Sequence, residues 1–133
     1  MTTTKARFCL AVLRNDRDEI LLLRRAADDS FAPGRWGLPG GHIHPGESPD
    51  ETIARELREE VGDAVRCERL RYVGPVRDTL YGGIYEIHLY LFVCHGGAVR
   101  LNEEHEAFAW VSRTAYPHYP VVGGIDEDLE YLG

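Results

Sequence analysis

Apolar runs of strand length dominate the chain. FCLAVLR (8–14) and EILLLRR (19–25) are two of them, and the NDRD that separates them is a turn signal, so the pair predicts a hairpin. AADDSFAPGRWG (26–37) is rich in Asp, Pro and Gly and reads as a loop. LPGGHIHPGE (38–47) continues it, with room for a short strand at its start. Residues 64–75 and 84–94 read as further strands, the second carrying the aromatic run IYEIHLYLFV. AFAWVS (107–112) predicts a shorter one. The tail, YPHYPVVGGIDEDLEYLG, supports at most a helical turn or two near 126–132. No repeat or linker interrupts the pattern, so residues 1–133 are expected to form a single domain.

One segment has helical periodicity and clear boundary signals. In SPDE (48–51), Ser48 suits the N-cap, Pro49 the first helical position, and Glu51 completes a capping box. Gly62 is a natural stop, so the helix is expected over roughly residues 49 to 61. At about 100° per residue, Ile53, Ala54, Leu57 and Val61 share one arc, the expected core face. Glu56, Glu59 and Glu60 share another. Strands around one strong helix predict a mixed α/β or α+β sandwich.

The glutamate arc carries the candidate chemistry. Spacing i, i+3, i+4 puts three carboxylates within reach of one point, and like charges so placed cost a few tenths of a kcal/mol. A solvated acidic face is the plain explanation. Against it stands the neighbouring glycine-rich loop, which offers bare carbonyls and another carboxylate, Glu47. Clustered carboxylates beside open backbone oxygens are what a hard divalent cation such as Mg²⁺ takes as ligands.

The 133 residues, 44% hydrophobic and 28% charged, suit a packed domain. The net charge of −7 argues against stable nucleic-acid binding and against an anionic membrane surface. Cys9, Cys67 and Cys94 form an odd set without CxxC spacing and read as reduced core thiols. MTTTKARFCLAVLRND contains no long apolar run, so a cytoplasmic protein is expected.

From Gly41 the chain reads G-HIHPG-E-SPDETIA-RELREEVG. This resembles the Nudix box, G-x5-E-x7-R-E-U-x-E-E-x-G-U, with U a bulky aliphatic residue. Gly41, Glu47, Arg55, Glu56, Leu57, Glu59, Glu60 and Gly62 match; Asp63 departs at the last U, where Val65 is expected to take over the packing. LLLRRAAD (21–28), RWGLPGG (35–41) and EEHEAFAWVS (103–112) are similar to MutT-type members, so the likeness spans roughly residues 7 to 112.

The resemblance implies a Nudix-type α/β/α sandwich with a central mixed β-sheet and a loop–helix–loop catalytic motif. It implies Mg²⁺-dependent hydrolysis, with Mn²⁺ as a substitute, of a nucleoside diphosphate linked to a second moiety. A nucleoside or deoxynucleoside triphosphate is the first expectation, giving NMP and pyrophosphate. Dinucleoside polyphosphates, ADP-ribose and nucleotide sugars are the alternatives.

By the same resemblance, Glu56, Glu59 and Glu60 hold metal with a carbonyl of Gly40 or Gly41 and with Glu106 or Glu104. Glu56 or Glu59 is the favoured general base, with a glutamate of 103–106 as rival. Arg55 pairs with Glu47 and orients the loop. Arg25 contacts phosphate; Trp36, Leu38 and Tyr81 are substrate-binding candidates, and Phe31 and Tyr85 could stack on a base. His42, His44 and His105 read as loop polarity. Many relatives are homodimers. A Nudix-like domain that only senses a nucleotide, and a calcium-binding or purely structural acidic helix, are the readings from other classes.

Overall fold

Strands β1 (Ala6–Arg14) and β2 (Glu19–Arg25) form the expected hairpin, paired in antiparallel register only at Arg14 and Ile20. Its turn is built by Asn15, whose side-chain oxygen accepts from the Arg17 and Glu19 amides at 3.0 and 2.9 Å. Away from the turn the two strands diverge into a fork. The computed structural model describes residues 6–28, 33–77, 82–116, 119, 128, 129 and 132.

Two short strands fill the fork: β3 (Trp36–Gly37) pairs with β2, and β4 (Gly40–His42) pairs with β1. The single short strand expected here is thus two. After helix α1 (Pro49–Glu60) come β5 (Cys67–Arg77), β6 (Tyr85–Cys94) and β7 (His105–Ser112). β6 runs parallel to β1 along its whole length and antiparallel to β5. β7 lies antiparallel on the outer edge of β2. The sheet is therefore mixed.

Side chains alternate between its two faces, as the pleat demands. Cys9, Ala11, Leu13, Leu21, Leu23, Tyr90 and Cys94 pack under Ile53 and Val61 on the α1 side. Val12, Ile20, Leu22, Leu89, Leu91 and Val111 face the other way, against Leu38, Tyr116, Leu129 and Leu132. Asp128, Leu129 and Leu132 are helical and buried, so helical residues cover both faces of the sheet. The expected α/β/α layering results.

The predicted cap is present. The Ser48 side chain accepts from the Glu51 amide at 3.1 Å, and the Glu51 carboxylate accepts from the Ser48 amide at 2.9 Å. The helix start is tied to the sheet by Asp50, which accepts from the Tyr90 hydroxyl at 2.6 Å and from Arg69 at 2.8 Å.

The helix is turned differently from expectation. Ile53 and Val61 are buried, but Ala54 is exposed and Leu57 half-buried, while Thr52, Glu56 and Glu60 lie inside. Relative to the purely apolar arc, the buried face is rotated by about a quarter turn. The reason is that partners wait on that side: the Gly40 amide of the fork-filling segment serves Glu60 and Arg55 serves Glu56, so burial leaves neither carboxylate stranded.

Replacing Ser48 with Ala is expected to destabilise the fold by about 1 kcal/mol. The shift in urea midpoint at unchanged slope measures it.

Candidate functional site

Arg55 is the centre of the site. Its Nε donates to Glu47 at 2.8 Å, and one terminal nitrogen donates to Glu47 at 3.1 Å and to the His42 carbonyl at 3.1 Å. Its other terminal nitrogen donates to Glu56 at 2.8 Å and to Glu59 at 3.4 Å. One planar cation thus binds the loop and the helix together, a use that suits guanidinium far better than ammonium. The anticipated Glu47–Arg55 pairing is present. The contacts to Glu56 and Glu59 lie within the helix, at i, i+1 and i, i+4, and the expectation of Arg55 as a partner of Glu47 did not include them.

The carboxylates have different environments. The Arg55 hydrogen bond, helped by the His44 amide and the Thr52 hydroxyl, holds Glu47 well below the usual range, at about 2. Burial pushes Glu56 up, and Arg55 opposes that push. Glu60 is more deeply enclosed; burial raises it to about 8, against a hydrogen bond from the Gly40 amide and the charge of Arg25. Glu59 is the exposed member, its side chain 49% accessible.

Two glycines make this packing possible. The Gly40 amide donates to Glu60 at 2.8 Å, and a Cβ on Gly40 would run into the Cys9 carbonyl. At Gly41 a Cβ would collide with the Glu56 carboxylate. The glycines therefore admit the glutamates as well as turning the chain.

On the far side of Glu60, Glu104 and His105 complete a group whose ligand atoms all lie within 4.8 Å of one another. His105 is buried, with Nδ1 3.9 Å from Glu60, so it is part of the site rather than loop polarity. The EEH triplet at the start of β7 was the sequence signal for it. Glu106 is placed elsewhere: it pairs with Arg24 at 2.9 Å. Of the two glutamates weighed for the metal shell, the structure brings Glu104 to Glu60.

The remaining candidates are spread out. Arg25, at the end of β2, is close enough to act on Glu60. Trp36 stands edge-on to Tyr119 with ring centres 5.2 Å apart. Leu38 is buried in the cluster against which Trp36 packs. His42 lies 4.2 Å from the Phe8 ring, which also meets Tyr85. Tyr81 and Phe31 lie outside the described residues. A cavity of about 400 Å³ opens on the opposite flank of α1, lined by residues such as Ala54, Leu57, Cys67 and Phe92, away from the carboxylates.

Glu60, Glu104 and His105 bring one buried carboxylate, one exposed carboxylate and a buried imidazole together, a donor set that fits a divalent cation, while Glu56 and Glu59 stand beside that group in the hold of Arg55. The family profile described as NUDIX domain matches residues 4–128. The chain belongs to the Nudix hydrolase family. Within it the chain is MutT-like, and by class it is a nucleotide pyrophosphohydrolase. It is 33% identical over 118 residues to the nucleoside triphosphatase NudI of Escherichia coli O1:K1, covering 81% of this chain and 82% of that one.

Among solved structures, the MutT protein of Methanosarcina mazei Go1 superposes with a TM-score of 0.76 at 28% identity, over 98% of this chain and 94% of that one. A bifunctional NMN adenylyltransferase/ADP ribose pyrophosphatase of Francisella tularensis also scores 0.76. Its identity is 20%, covering 100% of this Nudix chain and 43% of that one, a likeness of fold alone. No described helix is long and apolar enough to cross a membrane.

The depressed Glu47 gives a pH dependence with a fixed sign. Ionised Glu47 is favoured in the folded state, so its contribution is complete above the ordinary glutamate value of 4.5 and disappears as pH falls towards about 2. Urea midpoints measured through that window are expected to fall with pH, and to fall less in Glu47→Gln.

Proposed function

We propose that this chain is a Mg²⁺-dependent pyrophosphohydrolase of nucleoside or deoxynucleoside triphosphates, releasing NMP and pyrophosphate. The observation that carries the reading is the carboxylate group itself: Glu56, Glu59 and Glu60 on one helix, with Glu104 and His105 brought against Glu60. The relative named as a nucleoside triphosphatase supports the substrate class.

Phosphoryl chemistry of this kind asks for positioning and charge stabilisation more than for a covalent intermediate. Glu56, Glu59, Glu60 and Glu104, with the Gly41 carbonyl, are the groups that would hold Mg²⁺, with Mn²⁺ as a substitute. When bound, such a cation neutralises phosphate charge and acidifies a coordinated water.

The chain's own residues do the rest. Arg55 and Glu47 hold the loop against the helix, and Arg55 keeps Glu56 and Glu59 from swinging away from it. Glu56 or Glu59 accepts the proton of the attacking water. Arg25 contributes a fixed positive charge for a substrate phosphate. Trp36 offers an aromatic edge to the base, and Leu38 supports it from the core. Glu106, committed to Arg24, has no part in this scheme.

The test is a phosphate-release assay with Mg²⁺, run with and without a coupled pyrophosphatase. It covers NTPs, dNTPs, ADP-ribose, nucleotide sugars and diadenosine polyphosphates. Triphosphate turnover giving pyrophosphate is expected, reduced about 10²-fold or more in Glu59→Gln. Gly41→Ala is expected to lose activity while remaining folded, because its Cβ displaces Glu56. Turnover of another class reassigns the substrate. Nucleotide binding without any turnover leaves a sensing domain and ends the enzymatic reading.

A further inference from the structure

Cys67 and Cys94 are far apart in sequence, and their spacing matches no thiol motif. In the sheet they are direct cross-strand partners of β5 and β6. The two thiols are hydrogen-bonded to each other, so the side chains lie on the same face and in contact. All three cysteines of the chain are free thiols.

The backbone around the pair is suited to a covalent link. The His95 amide donates to the Arg66 carbonyl at 2.8 Å, and the Arg66 amide to the Gly96 carbonyl at 2.9 Å. Arg66 is thus bonded to both His95 and Gly96, an irregular end of the ladder beside the facing Cys67 and Cys94. Facing residues of an antiparallel ladder have Cα atoms about 4.5 to 5.5 Å apart, whichever kind of pair they form. Disulfides span Cα separations of about 4.4 to 6.8 Å, so the strands need not move apart or shift register to form one.

The thiols also differ in accessibility. Cys67 is half-buried and lines the cavity between α1 and β5, whereas Cys94 is buried at 2% exposure. We propose that Cys67 and Cys94 are a thiol-oxidation site, closing to a reversible intramolecular disulfide when a peroxide reaches Cys67 through that cavity.

The step balances. The Cys67 thiolate attacks one peroxide oxygen, the O–O bond breaks, and hydroxide leaves, giving Cys67 sulfenic acid. The Cys94 sulfur attacks the sulfenic sulfur, the S–O bond breaks, and the S–S bond forms. The oxygen leaves as water after taking the Cys94 proton. Two thiols and one hydrogen peroxide become one disulfide and two waters. Accessibility supports this division of roles, because Cys67 lines the cavity while Cys94 is buried.

The link would join two stretches that already meet. Residues 62–66 leave α1, and residues 95–104 lead to Glu104; the Arg100 amide donates to the Val61 carbonyl at 2.8 Å between them. Oxidation would close a covalent loop through β5 and β6 beside both.

The experiment exposes the reduced full-length protein to hydrogen peroxide, then denatures it, alkylates the remaining thiols and maps the peptides. Two of the three thiols should be lost, with the Cys67 peptide joined to the Cys94 peptide and the chain lighter by two hydrogens. Dithiothreitol should reverse this, and the oxidised form should melt at higher temperature. Cys9→Ser should still cross-link; Cys94→Ser should stop at an unlinked, oxidised Cys67. The proposal fails if all three thiols of the wild-type chain remain alkylatable. It fails equally if Cys67 proceeds to sulfinic acid with Cys94 untouched, or if the only disulfide joins two chains. Mapping the wild-type protein decides between these outcomes whether or not a variant folds.

Discussion

The contact on which the site depends is the clasp of Arg55 on Glu47, Glu56, Glu59 and the His42 carbonyl. Without a cation there, the loop and the helix would present like charges to each other across a partly desolvated gap. With it, one rigid fork satisfies acceptors from both segments. Removing a single partner from such a network leaves the others buried and unpaired, which costs more than the bond itself contributed. The order of the carboxylates follows: Glu47 is held ionised near the surface, Glu56 is balanced between burial and Arg55, and Glu60 lies deepest with the Gly40 amide as its hydrogen-bond donor.

The division of the sheet's faces sets what surrounds that network. The α1 face holds the acidic helix and the residues tied to its start, Asp50, Tyr90 and Arg69. The opposite face holds Leu38, Trp36 and Tyr119, beneath the helical Leu129 and Leu132. β1 and β6 are buried from both sides, as strands in parallel pairing usually are, and they act as a rigid spine between the two. Changes around Trp36 and Tyr119 can then leave the carboxylate cluster in place.

Much of this was legible before any coordinates. Ser48, Glu51 and Gly62 marked the helix to within a residue or so, because capping is a local matter of side chain and backbone. The run from Gly41 to Gly62 marked the site, because its spacing is repeated chemistry. The face of the helix was not legible. Counting only apolar residues put Ala54 inside and Glu56 and Glu60 outside, since the arcs cannot show that Gly40, Arg55 and the fork-filling strands supply partners for buried carboxylates. Glu106 and Glu104 were equally hard to separate. A bulge between Arg24 and Arg25 sets which of them reaches Glu60, and a bulge is a property of two strands together.

The fork between β1 and β2 has a mechanical meaning. The stretch that carries Gly40 and Gly41 is stitched into the sheet rather than laid across it: the Ala11 amide donates to the Pro39 carbonyl, and the Ile43 amide to the Arg7 carbonyl. Loops at active sites commonly open on their own, at a small fraction of the global unfolding free energy. Here, freeing the stretch that positions Glu56 and Glu60 means unzipping main-chain bonds to the innermost strand. The carboxylate-bearing end of the candidate site is therefore anchored to the innermost strand by its main chain, and opening it costs more than releasing a loop held by side chains alone.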